Sequence, residues 1–344
     1  IQDSTTAQRR SSLIIREGKT DIEVFNEFSN GPGKASTGFY NKVMEVSRDM
    51  TVGLLSTIHS GKALDGMAGT GIRGIRIARE AGWKVVLNDR NPRNASLMKK
   101  NAEMNGVEAE IMTADFMCAA SSTKWDYIDL DPYGTPAGNV EAAISGLKDG
   151  GILGVTMTDT ANLEGNTIMK GYRIYGSTSL KGEFSRELST RIFVKYAIER
   201  GASLGRSGKV LLCIRDGHYI RTFVQFKKGN RVSDHALSTL KKVVVDGREI
   251  GPLYTGKLYD TETLRKIDIS HLSERSRKIF GNFWNEDLMF LFHMNDYNGR
   301  EINMTRIIDS IVARGYRAGR TNFNDKGIKT DIDPLEYRAL ISSL

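Results

Sequence analysis

The sequence predicts an α/β fold built on a parallel, Rossmann-like sheet, and three observations predict it. Short apolar runs alternate with helical stretches between residues 62 and 157. The first of those runs ends in a glycine turn, Gly69-Thr70-Gly71-Ile72-Arg73-Gly74, from which a helix departs. The alternation closes on two apolar runs, 209–214 and 219–226, joined through Asp216-Gly217 as a hairpin. A dinucleotide fold would instead repeat a second βαβαβ half.

The first stretch, residues 1–30, is polar, mixed in charge and partly extended, and its Arg9, Arg10, Arg16 and Lys19 are either phosphate contacts or solvated bases. Gly31-Pro32-Gly33 and Phe39-Tyr40-Asn41 lead into a helix over 42–59, where Glu45, Arg48 and Asp49 stand within about one turn and suit helical ion pairing. Phe39 and Tyr40 follow a glycine- and serine-rich loop, so the rings either enter a core or line a pocket.

The first sheet strand, 62–64, runs into Asp65, and Ile72, Ile75, Ile77 and Ala78 give the following helix its apolar face. The second strand, 84–87, ends at Asn88-Asp89. Asp89 lies 18 residues after Gly71, where a strand-tip carboxylate can accept both hydroxyls of a ribose. The glycine run satisfies both a dinucleotide template and an S-adenosylmethionine template. Asp65, four residues before Gly69, opposes a pyrophosphate and suits a sulfonium or amino group, which favours S-adenosylmethionine.

A helix over 91–105 and a strand over 109–112 come next. Asp115-Phe116 then either grips an adenine amine and ring or supplies a helix N-cap and a buried phenyl. The fourth strand, 125–130, delivers Asp131-Pro132-Tyr133-Gly134 to the carboxyl edge of the sheet, where open α/β sheets bind ligands. Pro132 stops further strand pairing. A carboxylate beside a flat ring suits a planar base with an exocyclic amine: the ring stacks, and the acid takes an N–H proton. A helix over 139–147, a strand over 151–157 and a long helix over 181–200 follow, with Glu183, Glu187 and Arg191 spaced as a surface ladder on the last. With the closing hairpin, this is the order of a class I methyltransferase.

Residues 1–256 form that catalytic domain and 257–344 a smaller, mostly helical one. In the latter, a helix over 305–313 precedes a basic hairpin containing Arg314, Arg317, Arg320, Lys326 and Lys329. This suggests a winged-helix-like module for phosphate binding, the alternative being a solvated basic face.

The composition agrees. Hydrophobic residues make up 40% of 344, and no apolar run approaches the roughly 18 residues of a membrane span. The start, Ile1-Gln2-Asp3-Ser4, has no signal-peptide pattern. Two cysteines, Cys118 and Cys213, exclude a disulfide framework or a four-cysteine zinc site, and the five histidines lack metal spacing, so no metal is expected. A reducing, cytoplasmic setting follows. A net charge of +8 and a pI near 9.3 favour a polyanionic partner, nucleic acid first.

Between about Gly18 and Asp331 the chain resembles the tRNA guanine-26 N2-dimethyltransferases, in an archaeal-like form. The resemblance rests on Phe39-Tyr40-Asn41-x-x-Met44-x-x-x-Arg48-Asp49, the glycine turn, Asn88-Asp89 and Asp129-Leu130-Asp131-Pro132-Tyr133-Gly134. It continues through Gly151-Ile152-Leu153-Gly154-Val155-Thr156-x-Thr158-Asp159, Gly251-Pro252-Leu253 and Arg320-Thr321-x-Phe323-x-x-x-Gly327-Ile328-Lys329-Thr330. It implies S-adenosyl-L-methionine held by Arg48, Arg73, Asp89, Asp115 and Phe116. It also implies catalysis by Asp131 with Phe39 and Tyr133 holding a flipped guanine, and tRNA as partner. The chain departs from the family's usual pattern in having Tyr133 for Phe, Ser185-Arg186 for Cys-His, and no cysteine-rich zinc insertion after the closing hairpin. Three rival readings are an rRNA guanine-N2 or DNA adenine-N6 methyltransferase, a dinucleotide-dependent oxidoreductase, and a non-catalytic RNA-binding scaffold.

Overall fold

The computed structural model of the chain describes residues 12–25 and 40–344. A hairpin, β1 (Ser12–Glu17) and β2 (Thr20–Phe25), opens it. Helix α1 (Glu45–Leu55) follows one 3-10 turn and is buried along nearly its whole length. Then come β3 (Lys62–Asp65), α2 (Ile72–Ala81), β4 (Lys84–Asn88), α3 (Arg93–Met104), β5 (Ala109–Met112), α4 (Phe116–Ser121), β6 (Trp125–Leu130), α5 (Val140–Gly146) and β7 (Leu147–Met157). Short α6 (Ile168–Tyr175) and long α7 (Ser185–Ser203) precede the closing pair β8 (Arg206–Asp216) and β9 (Tyr219–Lys228).

These strands form one seven-stranded sheet in the order β5-β4-β3-β6-β7-β9-β8, with β9 alone antiparallel to its neighbours. The chain order reverses between β3 and β6. The loops after those two strands therefore part from each other and leave a crevice at the carboxyl edge. Apolar side chains cover both faces of the sheet, as parallel sheets require.

The opening hairpin is stitched to α3 by two asparagines that act as a strand edge. Asn101 accepts from Glu23 N (2.8 Å) and donates to Glu23 O, and Asn105 accepts from Asp21 N (3.0 Å) and donates to Asp21 O. The Asn101 amide also reaches Thr70 O, which ties the hairpin to the glycine turn.

Beyond the sheet come α8 (Asn230–Ser238) and a hairpin of β10 (Leu240–Val245) and β11 (Arg248–Tyr254), none of them anticipated from the sequence. Helices α9 (Thr261–Lys266) and α10 (Glu274–Glu286) pack onto the sheet core through Leu264, Ile267, Phe280 and Phe283. The rest comprises β12 (His293–Met294), β13 (Asp296–Tyr297), β14 (Arg300–Glu301), α11 (Met304–Val312), β15 (Ala318–Arg320), β16 (Gly327–Thr330) and α12 (Pro334–Ser343). The expected helix and hairpin are there, with β12 added to the sheet beside β16. A two-residue strand is too short to leave a period in the sequence. Ile302, Ile307, Ile311, Ile328, Tyr337 and Leu340 give this part a core of its own.

Two charge assignments change. Glu187 and Arg191 do not form a surface ladder: both are buried, and Lys329 from β16 donates to both oxygens of Glu187 at 2.9 Å. Arg191 Nη2 adds a 2.8 Å bond to Oε1, and Glu286 stands 3.8 Å from Lys329. Lys329 is therefore an internal cation and is absent from the basic face of the hairpin. Arg48 and Asp49 do not pair along α1 either. Arg48 binds Glu17 of the hairpin (2.6 and 2.5 Å), while Asp49 takes Arg76 (2.8 Å) and the Ser276 hydroxyl (2.6 Å).

Candidate active site

The crevice is built from the ends of four strands. At β3, Asp65 is buried, and its Oδ2 accepts the Gly74 N–H at 2.9 Å, closing the glycine turn on itself. Gly69 and Gly71 take positive φ (56° and 83°) in that turn. Burial, then the nearby Asp129 charge, push the Asp65 carboxyl up to about 7.

At β4, Asp89 accepts from Gly69 N (3.0 Å) through Oδ2 and from Asn91 N (2.8 Å) through Oδ1. Each carboxylate oxygen has two lone pairs, so both oxygens can still accept a hydroxyl. After β5, Asp115 is exposed and caps α4 by accepting from Met117 N (2.9 Å), and Phe116 is buried. The Phe116 ring lies so close to Gly66 that a Cβ there would stand 2.5 Å from it. Asp115 and Phe116 are thus cap and core residue at the carboxyl end of β5.

At β6, the alternation of a strand puts Asp129 and Asp131 on one face, two residues apart. Asp129 is fully buried. Burial alone would raise its carboxyl; the Arg221 and Arg73 guanidiniums overcome that and hold it below the usual range. Its oxygens take Arg221 Nη1 (3.2 Å) and Nη2, Arg73 Nε (3.2 Å) and the Tyr127 hydroxyl (2.5 Å). Thr51 of α1 accepts from Arg73 (3.2 Å) and Arg221 (3.1 Å) and donates to Ser47 O, so one hydroxyl joins both guanidiniums. A Cβ at Gly154 would stand 2.2 Å from Tyr127 Oη and 2.6 Å from Arg221 Nη2, so only glycine admits this packing.

The network surfaces at Asp131. Arg73 Nη2 donates to Asp131 Oδ2, whose side chain keeps 22% exposure. Tyr133 is 44% exposed, and burial of its other side, then the Asp131 and Asp89 charges, raise its phenol. The turn carrying both is pinned from behind. Gly134 N donates to Thr158 Oγ1 (2.8 Å), Thr158 N donates to Gly134 O (3.1 Å), and the Thr135 and Tyr175 hydroxyls are 2.7 Å apart.

The structure therefore brings Arg73, Asp89, Asp115, Asp131 and Tyr133 to one edge. Arg48 is behind that edge, buried against Glu17 and Asn41 O, with its guanidinium 5.1 Å from the Tyr40 ring. Phe39 lies outside the described residues. Asp129, Thr51 and Arg221 were not singled out from the sequence. The only local signal was an arginine inside the apolar closing strand.

The donor set fits S-adenosylmethionine. Carboxylates at the ends of β3, β4 and β6, and one after β5, suit a ligand carrying sulfonium and ammonium charges and would repel a pyrophosphate. Among the described residues, no group of three or more histidine, cysteine or acidic side chains could hold a metal ion, and no helix is long and apolar enough to cross a membrane.

Residues 18–337 match the family described as N2,N2-dimethylguanosine tRNA methyltransferase. A tRNA (guanine(26)-N(2))-dimethyltransferase of Thermoplasma volcanium is 33% identical over 96% of this chain and 99% of its own length. One from Thermoplasma acidophilum is 34% identical over 93% and 94%. The solved structure of Trm1 from Pyrococcus horikoshii in complex with S-adenosyl-L-methionine superposes with a TM-score of 0.83, at 29% identity, over 96% of this chain and 99% of the other. With its sheet order, its carboxylate-rimmed crevice and this match, the chain belongs to the N2,N2-dimethylguanosine tRNA methyltransferase family.

Proposed function

We propose that Asp131 is the base, and Tyr133 with Phe39 the stacking pair, for methylation of the exocyclic N2 of guanine 26 in tRNA. The chain is an S-adenosylmethionine-dependent tRNA (guanine-N2) dimethyltransferase. What supports Asp131 as the reacting group is its position. It is the carboxylate at which the buried charge network opens to the crevice, 22% exposed where Arg73 is 6% and Asp129 is 0%, and Tyr133 follows two residues on.

Guanine N2 is a weak nucleophile because its lone pair is delocalised into the ring. The base must leave its stack, at a cost of a few kcal/mol, and aromatic stacking returns about 1–3 kcal/mol. Asp131 and the Pro132 carbonyl accept the two N2 hydrogens, which localises the lone pair on nitrogen. As N2 attacks, its proton passes to Asp131, a transfer typically worth 10²–10⁴-fold. Arg73 fixes the carboxylate's orientation, and Asp129 and Arg221 fix Arg73.

Bound S-adenosylmethionine supplies an electrophilic methyl on a sulfonium. Arg48, Arg73, Asp89, Asp115 and Phe116 would hold it. Arg48 is paired with Glu17 in this structure, so its part requires that pair to open. The exposed Arg314, Arg317 and Arg320 support residues 257–344 as a tRNA-binding module. The tRNA substrate and the free Cys118 and Cys213 support a cytoplasmic setting.

The test is nucleoside analysis of an unmodified tRNA after incubation with the protein and labelled S-adenosylmethionine. Dimethylguanosine is expected at position 26, with no label in a transcript carrying adenine there. Label placed elsewhere, or in ribosomal RNA or DNA in preference to tRNA, would overturn the substrate assignment.

A further inference from the structure

Helix α6 stands just behind the turn that carries Tyr133, held there by Tyr175 against Thr135. Its inner face is fixed. Gly171 packs so closely that a Cβ would lie 2.3 Å from Asn162 O, and Tyr175 is buried between Phe193 and Tyr196. Its outer face is apolar where a surface helix is usually polar: Met169 is 69% exposed, Tyr172 51% and Ile168 43%. Between these stand Lys170 and Arg173, also exposed, and the helix carries no acid. Asp159, 3.5 Å from Lys170, partly offsets that base. Exposed Lys241 and Lys242 on β10 extend the positive charge, Lys242 being paired with Glu249.

We propose that the outer face of α6 is an RNA-docking surface, taking the part of the tRNA that flanks the extruded guanine. Tyr172 and Met169 pack against bases or riboses there, and Lys170 and Arg173 contact phosphates. The occupant follows from the chemistry. An aromatic ring set among basic side chains suits unstacked nucleotides, and the helix that carries the face is bonded through Tyr175 to the turn where one nucleotide must be unstacked. A second copy of a chain with net charge +8 would bring positive charge against positive charge. The proposal rests on the tRNA reading above.

The test measures dissociation constants for an unmodified tRNA transcript over a salt series, together with S-adenosylmethionine binding by calorimetry. The full-length wild type is compared with Tyr172→Ala, Tyr172→Phe and the double variant Lys170→Ala/Arg173→Ala. Tyr172→Ala is expected to weaken tRNA binding about tenfold, and Tyr172→Phe to restore it. The double variant is expected to reduce the slope of log affinity against log salt by roughly 1.5. S-adenosylmethionine affinity should be unchanged throughout. If the wild type binds and methylates tRNA while both alanine variants match it in affinity and salt slope, the docking surface is wrong and the function stands. If the wild type methylates no tRNA, the functional reading fails and takes this proposal with it. A wild-type dimer in sedimentation that Met169→Asp converts to a monomer with unchanged tRNA affinity would assign the face to self-association and overturn the proposal.

Discussion

Among the buried charge networks of the described residues, two differ sharply in where they end. Under the crevice, Asp129, Arg221, Arg73 and Asp131 form a chain whose last carboxylate is 22% exposed. At the join with the C-terminal part, Glu187, Arg191, Lys329 and Glu286 form a cluster sealed on all sides. Both are expensive to desolvate. The sealed one acts as a rivet: it fixes β16 and α10 to α7, and nothing from outside reaches it. The open one uses the same desolvated pairs to hold one acid rigidly at the surface, where a substrate can find it. Buried ion pairs alone therefore do not mark a site; a buried network with one exposed terminus at least presents an acid that a substrate can reach.

Asp131→Ala gives the sharpest separation. The open network loses only its solvent-facing end, so methyl transfer is expected to fall by about 10²–10⁴-fold while the thermal midpoint moves little. Rates from labelled S-adenosylmethionine and a melting curve on the same sample check both halves. Unchanged transfer would remove Asp131 from its role as base.

Lys329→Met should do the reverse. It leaves Glu286 in the core without its cation and Glu187 with Arg191 alone, and breaking a buried pair from one side costs about 3–5 kcal/mol. Denaturant titration should show the loss, while transfer per folded molecule stays within a few-fold. A Lys329→Met protein as stable as wild type would show that the cluster is no rivet.

Legibility in the sequence follows the same divide. The glycine turn, Asp89 and Asp131-Pro132-Tyr133-Gly134 were readable because each motif is contiguous and sits at a strand end, where local pattern and chemistry coincide. The supports were not. Arg221 meets Asp129 across 92 residues and Thr51 across 170. Glu187 and Arg191 were misread because an acid and a base at i, i+4 look the same whether they face water or Lys329, which lies 142 residues away. The succession of strands and helices along the chain was legible through their alternation; the β10–β11 hairpin and α8 were not.

Gly154→Ala tests the open network at its tightest point. The added methyl meets Tyr127 Oη and Arg221 Nη2, and overpacking of this kind costs about 1–3 kcal/mol. Because the displaced groups hold Asp129, the turnover number should fall with stability while KM for tRNA holds. Loss of stability with turnover intact would mean that the network supports the fold without positioning the acid.

The sealed cluster should also leave a trace in pH. Burial, only partly offset by Lys329, pushes the Glu286 carboxyl from about 4.5 up to about 7. Between those values the folded chain holds a proton that the unfolded chain has released. Stability from this group is therefore fully present below about pH 4.5 and is lost as pH rises through 7. Asp65, pushed up to about 7, slopes the same way. Glu286→Gln should flatten the fall in unfolding free energy across that window, leaving the Asp65 part. An identical slope in the variant would place the titration elsewhere.

The smallest effect is expected at Tyr133→Phe. The substitution keeps the ring proposed to stack and removes a hydroxyl that burial and the Asp131 and Asp89 charges already hold protonated. Stacking draws on the face of the ring, so transfer should stay within about twofold, whereas Tyr133→Ala should lose the roughly 1–3 kcal/mol of a base–aromatic contact. The comparison is best made on kcat/KM for tRNA at constant salt. Equal losses in the two variants would assign the role to the hydroxyl and remove Tyr133 from the stacking pair.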